Sequence, residues 1–168
     1  MSHVSSLSDT SLLVRDARGD YLPATAEQIL LAARQVVDQK MRRGANFSSP
    51  IDVKAYLTAK LAGLDHEVFA VLFLDNRHRL IEYVEMFRGT LDGASVHPRE
   101  VVKEALRFNA AAVILAHPHP SGNSQPSQAD KAITRQLKEA LALIEVRVLD
   151  HIVVAGNDVV SFAERGLL

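Results

Sequence analysis

The sequence predicts a single α/β fold in which a mixed β-sheet is sandwiched by helices. Two uninterrupted apolar runs, VFAVLFL at 68–74 and AAVILA at 111–116, are typical of strands buried on both faces. Helical segments alternate with the strands, and short turn sequences between neighbouring strands indicate hairpins and hence some antiparallel pairing. At 168 residues, the chain is long enough for one core of ordinary size with a small appendage.

The N-terminal part is expected to hold a leader and one helix. Residues 1–24 are mostly polar without a clear period, which is typical of a flexible leader. Thr25 then offers a helix N-cap with Gln28 three residues later, and the helix is expected to continue to Arg43. A turn-rich linker at 44–48 follows it. Apolar residues recur along this helix at helical spacing: Ile29, Leu30, Ala33, Val36 and Val37.

A second helix follows the linker. Ser49 is placed to cap it, Pro50 suits its first position, and Gly63 lies just past its end. The compact domain is expected to begin with this helix. We therefore divide the chain into an N-terminal leader and helix over residues 1–48 and a compact domain over residues 49–168.

The middle of the chain predicts a hairpin and then a helix. The apolar run at 68–74 is followed by a turn at 75–78 and by a second, partly exposed strand at 80–87. A helix is expected over 97–108, because Pro98 suits its first turn. The inward face of this helix is expected to hold Val101, Val102, Ala105 and Leu106.

The rest of the chain predicts a strand, a helix and a closing hairpin. The strand at 111–116 leads directly into His117, and the next helix is expected over 127–143. Strands at 146–155 and 159–162 flank a Gly-Asn-Asp turn and are expected to pair. The helix carries a stripe of core residues: Ile133, Leu137, Ala140, Leu141 and Ile144.

The composition excludes several classes of protein. With 48% hydrophobic residues, 23% charged residues and a net charge of -1, the chain has the composition of a globular protein and no strong signal for nucleic-acid binding. It has no cysteine, which excludes disulfides and thiolate metal ligands. Its first residues carry neither a signal peptide nor a membrane-spanning run. We therefore expect a cytoplasmic protein with no membrane association.

His117 and His119 are candidate metal ligands at the end of the strand at 111–116. Each precedes a proline, which disfavours the helical conformation, so both are expected to be extended. Residues two apart in an extended chain project to the same side, so the two imidazoles converge. Asp130 lies on the core face of the next helix and is expected to point inward, where a carboxylate needs a partner.

Two imidazoles and one carboxylate form a ligand set typical of catalytic zinc, with the fourth position left for water. Zinc lowers the pKa of that water to roughly 7 and polarises a substrate carbonyl. The ordinary alternatives are that each histidine is a polar loop residue, and that Ser127 and Asp130 are an N-cap and a first-turn acid. The combination of a strand, His-x-His and an acid on the following helix favours the metal site.

Such a site needs a general base, and Glu67 is the candidate. It heads the buried strand at 68–74, where a carboxylate has little structural reason to be. The alternative is a solvated residue just outside the strand, and the local sequence does not decide between the two. Four other glutamates compete for the role: Glu82, Glu85, Glu100 and Glu104.

Other hydrolase patterns fit less well. The metallo-β-lactamase pattern needs an Asp-His pair shortly after its second histidine, where this chain has Ser121 and Gly122. A serine hydrolase lacks support, because there is no G-x-S-x-G elbow. Asp150 and His151 are adjacent within a predicted strand and face opposite ways, which favours structural roles over a catalytic pair.

The chain resembles the RadC-like branch of the JAMM (MPN/JAB) metalloprotease superfamily. The superfamily motif is an upstream Glu, His-x-His, seven residues, Ser, two residues and Asp, and the run HPHPSGNSQPSQAD at 117–130 matches it position for position. The stretches VLFLDNRHRLI, FRGT, HPREVVKEAL, NAAAVILAHPHPSG, PSQAD and VRVLDHIVVAG match the RadC-like pattern. The resemblance covers about Ser49 to Leu168 and implies a JAB/MPN-like, cytidine-deaminase-like architecture.

Carried over residue by residue, the resemblance implies zinc ligation by His117, His119 and Asp130. It implies that Glu67 is the general acid/base and that Ser127 helps to stabilise the tetrahedral oxyanion. The reaction implied is hydrolysis of peptide or isopeptide bonds.

Two departures from the RadC-like pattern affect what the resemblance implies. Pro118 stands where RadC-like proteins commonly have Asn, which removes a backbone N–H donor beside the site. We expect no helix-hairpin-helix region of the kind found in longer RadC proteins, as in the short versions found on prophages and plasmids.

The expected function is a zinc metallopeptidase or isopeptidase, with its substrate and oligomeric state unknown. The alternative is a non-catalytic JAB-fold binding module in a DNA-repair-linked or mobile-element process. A metal-dependent nuclease is disfavoured by the charge balance.

Overall fold

The computed structural model describes most of the chain: residues 12–40, 44, 47, 49–61, 63–89 and 95–168. Its elements follow in the order β1 Leu13–Arg15, β2 Tyr21–Pro23, α1 Ala26–Lys40, α2 Pro50–Leu61, β3 Val68–Leu74, β4 Leu80–Arg88, α3 Pro98–Arg107, β5 Ala112–Pro118, α4 Gln128–Ala142, β6 Arg147–Ala155 and β7 Asp158–Ser161. In the described residues, no helix combines the length and hydropathy needed to cross a membrane.

The strands form two sheets. β1 and β2 make a two-stranded sheet, and the other five strands make a mixed sheet in the order β4-β3-β5-β6-β7. β5 and β6 pair in parallel, whereas the other neighbours in this sheet are antiparallel. The predicted α/β fold with a mixed sheet and two hairpins, β3-β4 and β6-β7, is confirmed.

Helices cover both faces of the five-stranded sheet, because successive residues of a strand point to opposite sides. On one face, α2 packs residues such as Leu57 against the strands, where they meet Leu72. On the other face, Val101 of α3 and Leu137 of α4 belong to the same buried cluster as Phe73. All seven residues of β3 are buried, as its uninterrupted apolar run predicts.

Truncation of Phe73 tests this core. Phe73 is fully buried, and its ring centre lies 4.9 Å from that of Phe108. Phe73→Ala is expected to lower the free energy of unfolding by about 3–5 kcal/mol, because it leaves a cavity. Urea denaturation measures the loss, with Ile51→Ala as the control, since Ile51 is 76% exposed. Equal losses of unfolding free energy in the two variants would contradict the placement of Phe73 in the core.

The N-terminal ends of the first two helices follow the predicted capping. The backbone N–H of Thr25 donates to Gln28 Oε1 at 2.9 Å, and that of Gln28 donates to Thr25 Oγ1 at 3.2 Å, so the capping box of α1 is confirmed. α1 is described as far as Lys40, and the expected continuation over 41–43 lies outside the described residues. The predicted start of α2 is also confirmed, because the helix begins at Pro50 and Ser49 Oγ accepts from the backbone N–H of Ile51.

Two expectations outside the sheet are wrong, and the linker holds a buried residue that the sequence did not indicate. The leader over 1–24 contains the β1-β2 hairpin in its described part, residues 12–24, because the Asp16 carboxylate accepts two backbone N–H groups and closes the turn. The linker at 44–48 contributes Phe47 to the core, where it is 5% exposed. Leu106 is 60% exposed, because α3 turns it away from the sheet.

Candidate metal centre

The candidate metal centre lies where β5 ends. His117 is part of β5, which pairs with β6, and the backbone N–H of His119 donates to the Val154 carbonyl at 2.8 Å. This pairing holds the first histidine extended, as the proline after it predicts. His117 is 6% exposed and His119 is half-buried. The pairing of β5 with β6 therefore fixes the backbone positions of both histidines.

The first turn of α4 supplies the carboxylate. Ser127 Oγ accepts from the backbone N–H of Asp130 at 3.1 Å, and the backbone N–H of Ser127 donates to Asp130 Oδ2 at 2.6 Å. Ser127 is therefore the N-cap of α4, as predicted, and this capping box fixes the Asp130 side chain. The carboxylate points inward as predicted, since the side chain is only 15% exposed.

Two imidazole nitrogens and one carboxylate converge between these elements. His117 Nε2 lies 3.2 Å from Asp130 Oδ1, His119 Nε2 lies 3.4 Å from Asp130 Oδ2, and the two Nε2 atoms are 2.9 Å apart. Zinc bonds of about 2.0–2.2 Å in a tetrahedral arrangement separate neighbouring ligand atoms by about 3.3 Å. One ligand atom from each of the three residues can therefore bind a single ion.

The hydrogen bonds of His119 also suit a metal ligand. Its Nδ1 lies 2.6 Å from the backbone carbonyl of Asn123, and a carbonyl can only accept. Nδ1 therefore carries the hydrogen, and a neutral His119 presents the lone pair of Nε2 to the cluster. Metal-binding histidines are commonly oriented in this way.

The charge of the cluster favours a cation. Burial alone would raise the pKa of Asp130, but the hydrogen bonds that protonated His117 and His119 can donate to it outweigh this effect and hold that pKa well below its usual range. The hydrogen bond to Asp130 raises the pKa of His119, and the charge of Glu67 adds to this. A site that attracts a proton in this way also attracts a metal cation.

A cavity of about 440 Å³ lies beside the cluster. All five residues predicted for the site line it: Glu67, His117, His119, Ser127 and Asp130. Glu67 is half-buried just before β3, so it lines the same cavity as the three candidate ligands. The sequence alone left this placement open.

The four competing glutamates lie elsewhere. In the described part of the chain, none of them lines the cavity. Glu100 and Glu104 pair with basic residues of α3, the same helix that carries them. Glu82 and Glu85 are exposed on β4. Of these five glutamates, Glu67 is the one at the cavity.

His151 is the residue of this centre that the sequence reasoning missed. It is fully buried, and its Nε2 lies 2.8 Å from His117 Nδ1. Burial lowers the pKa of His151 well below its usual value. Asp150 faces the other way and accepts from Ser161 Oγ at 2.6 Å, so the two residues are not a catalytic pair, as predicted. The sequence does hold one indication of this role: His151 lies within an apolar strand, and a buried polar group needs a partner.

Comparison with known proteins identifies related sequences over most of the chain. The sequence model of the RadC-like JAB domain matches residues 47–167. A UPF0758 protein of Vibrio cholerae is 59% identical over 145 residues, which are 86% of this chain and 91% of the relative. A UPF0758 protein of Marinobacter nauticus is 57% identical over 145 residues, 86% of this chain and 65% of the relative. A UPF0758 protein of Leptothrix cholodnii is 62% identical over 138 residues, 82% of this chain and 62% of the relative. The chain thus spans less than two thirds of the last two relatives, and none of the three names states an activity.

Proposed function

Because this chain belongs to the RadC-like JAB domain family, we propose that it is a zinc-dependent hydrolase of peptide or isopeptide bonds. In this proposal, His117, His119 and Asp130 hold the metal. The observation that carries the proposal is the convergence of two Nε2 atoms and one carboxylate, with separations of 2.9, 3.2 and 3.4 Å, beside an open cavity.

The chemistry divides between the metal and two side chains. When bound, zinc would supply Lewis-acid activation of water and of the scissile carbonyl. Glu67 takes the proton from the attacking water and passes it to the leaving amine, as a general base and then a general acid. Ser127 Oγ accepts from the backbone N–H of Asp130, which leaves its hydroxyl hydrogen to donate to the developing oxyanion.

The cavity walls suit a peptide. A volume of about 440 Å³ lies within the range of small-ligand sites. Val96 and Ile133 offer apolar contacts, whereas Asn123 and Gln125, whose amide oxygens already accept hydrogen bonds, offer amide N–H groups to a peptide backbone. These walls favour a peptide segment over a compact anionic substrate.

Zinc content and cleavage assays on the wild-type protein test the proposal. We expect about one zinc per chain, and cleavage of quenched linear or lysine-branched peptides that chelation abolishes and added zinc restores. Wild-type protein that stays metal-free when zinc is supplied would overturn the proposal. Zinc-loaded protein that cleaves no member of either peptide set would favour the non-catalytic binding module.

A further inference from the structure

A line of hydrogen bonds runs from His117 into the protein, away from the cavity. His117 Nδ1 lies 2.8 Å from His151 Nε2, and His151 Nδ1 lies 2.6 Å from Thr134 Oγ1. The same Thr134 oxygen lies 2.5 Å from the backbone carbonyl of Asp130. His151 and Thr134 are 0% and 2% exposed, so these contacts replace solvent for their polar atoms.

The hydrogens along this line have one consistent arrangement. The Asp130 carbonyl can only accept, so the Thr134 hydroxyl donates to it. A hydroxyl has a single hydrogen, so the Thr134 oxygen accepts from His151 Nδ1. His151 stays neutral because burying a charge is costly, and its Nε2 is then an acceptor. His117 Nδ1 donates to that acceptor, which leaves the lone pair of His117 Nε2 facing the metal cluster.

Aromatic packing restricts the same two imidazoles. The ring of Phe69 stacks on His117 with an interplanar angle of 13° and a centroid distance of 6.3 Å. The ring of Phe162 lies 4.7 Å from His151, centre to centre. Both phenylalanines are buried, so neither imidazole can rotate without displacing the core.

We propose that His151 and Thr134 are positioning residues that set the tautomer and orientation of His117 as a metal ligand. The inference rests on the proposed metal site and adds the two residues that orient one of its ligands. Outer-shell partners of metal-binding histidines usually act in this way. For His119 the partner is a backbone carbonyl, but for His117 it is a second histidine whose own tautomer depends on Thr134.

Two substitutions at Thr134 separate this role from simple packing. Thr134→Val keeps the shape of the side chain but removes the hydroxyl, so His151 Nδ1–H would be buried without an acceptor. We expect His151 to shift its hydrogen to Nε2 and thereby force the hydrogen of His117 onto Nε2 as well. Zinc affinity, measured by chelator competition, is expected to fall about 10–100-fold in this variant. Thr134→Ser keeps the hydroxyl and is expected to restore affinity to near the wild-type value.

The ring tautomers are read directly in metal-free protein. Long-range ¹H–¹⁵N correlation spectra, recorded at a pH where the rings are neutral, show which nitrogen carries the hydrogen. We expect His117 to carry it on Nδ1 in the wild type and in Thr134→Ser, and on Nε2 in Thr134→Val. A wild-type His117 with its hydrogen on Nε2 would overturn the inference.

The outcomes distinguish the inference from the function on which it rests. Wild-type protein that binds no zinc refutes the proposed function. The tautomer measurement needs no metal, so it still tests the positioning role of His151 and Thr134. If the wild-type protein binds zinc and Thr134→Val and Thr134→Ser bind it with equal affinity, the positioning role of His151 and Thr134 is refuted. The proposed function is unaffected by that result. The wild-type spectrum suffices if Thr134→Val does not fold.

Discussion

Asp130→Asn is expected to remove zinc binding while the fold remains. The amide keeps one oxygen that can accept from the backbone N–H of Ser127, but it loses the negative charge and the second oxygen facing the histidines. Zinc in proteins is held by imidazole, thiolate and carboxylate, so only two ligands would remain. The zinc dissociation constant is expected to rise by more than the roughly 10–100-fold that outer-shell changes cause. Metal analysis after gel filtration measures the loss.

Ser127→Ala is the matched control, because it disturbs the same capping box without removing a ligand. It deletes the oxygen that accepts from the backbone N–H of Asp130 and is expected to cost about 1 kcal/mol of stability. Zinc should stay bound. Full zinc content in Asp130→Asn would show that the ligand set is wrong. Equal zinc loss in both variants would show that the helix start, and not the carboxylate, controls binding.

The convergence of the ligand atoms was predictable because it depends on local chain geometry. His117 and His119 are extended because prolines follow them, and residues two apart then point the same way. The capping box and the helix face set the direction of Asp130. All three lie in one strand-loop-helix connection, so no long-range contact had to be guessed.

The place of His151 was not predictable in the same way. Its contact with His117 joins residues 34 positions apart and depends on the parallel pairing of β5 with β6. That pairing contains a register shift between Val113 and Ile114, which no local pattern indicates. A change of one residue in register would point the imidazole to the opposite face of the sheet.

The unexpected features near the N-terminus, the β1-β2 hairpin and the burial of Phe47, have a related cause. β1 and β2 are three residues each and largely exposed, so their sequences lack the apolar alternation that predicts a strand. Phe47 was missed because a turn-rich composition indicates a surface linker. The backbone N–H of Phe47 nevertheless donates to the His78 carbonyl at 3.1 Å, which holds its ring against the core.

Glu67→Gln is expected to slow hydrolysis strongly while zinc stays bound. Glutamine has nearly the same size as glutamate but cannot take a proton from water, so general acid-base catalysis is lost. The value of kcat/KM is expected to fall about 10²–10⁴-fold. Steady-state assays on the best peptide from the wild-type screen measure this change, and metal analysis of the same samples measures zinc. The retained zinc separates this residue from the ligands.

Glu100→Gln is the control for Glu67→Gln, because Glu100 is paired with Lys103 on α3 and does not line the cavity. It removes the same charge and should leave kcat/KM near the wild-type value. Unchanged catalysis in Glu67→Gln would refute Glu67 as the general base. Loss of zinc together with catalysis would show that Glu67 acts through the metal site, because its charge faces the same cluster as Asp130.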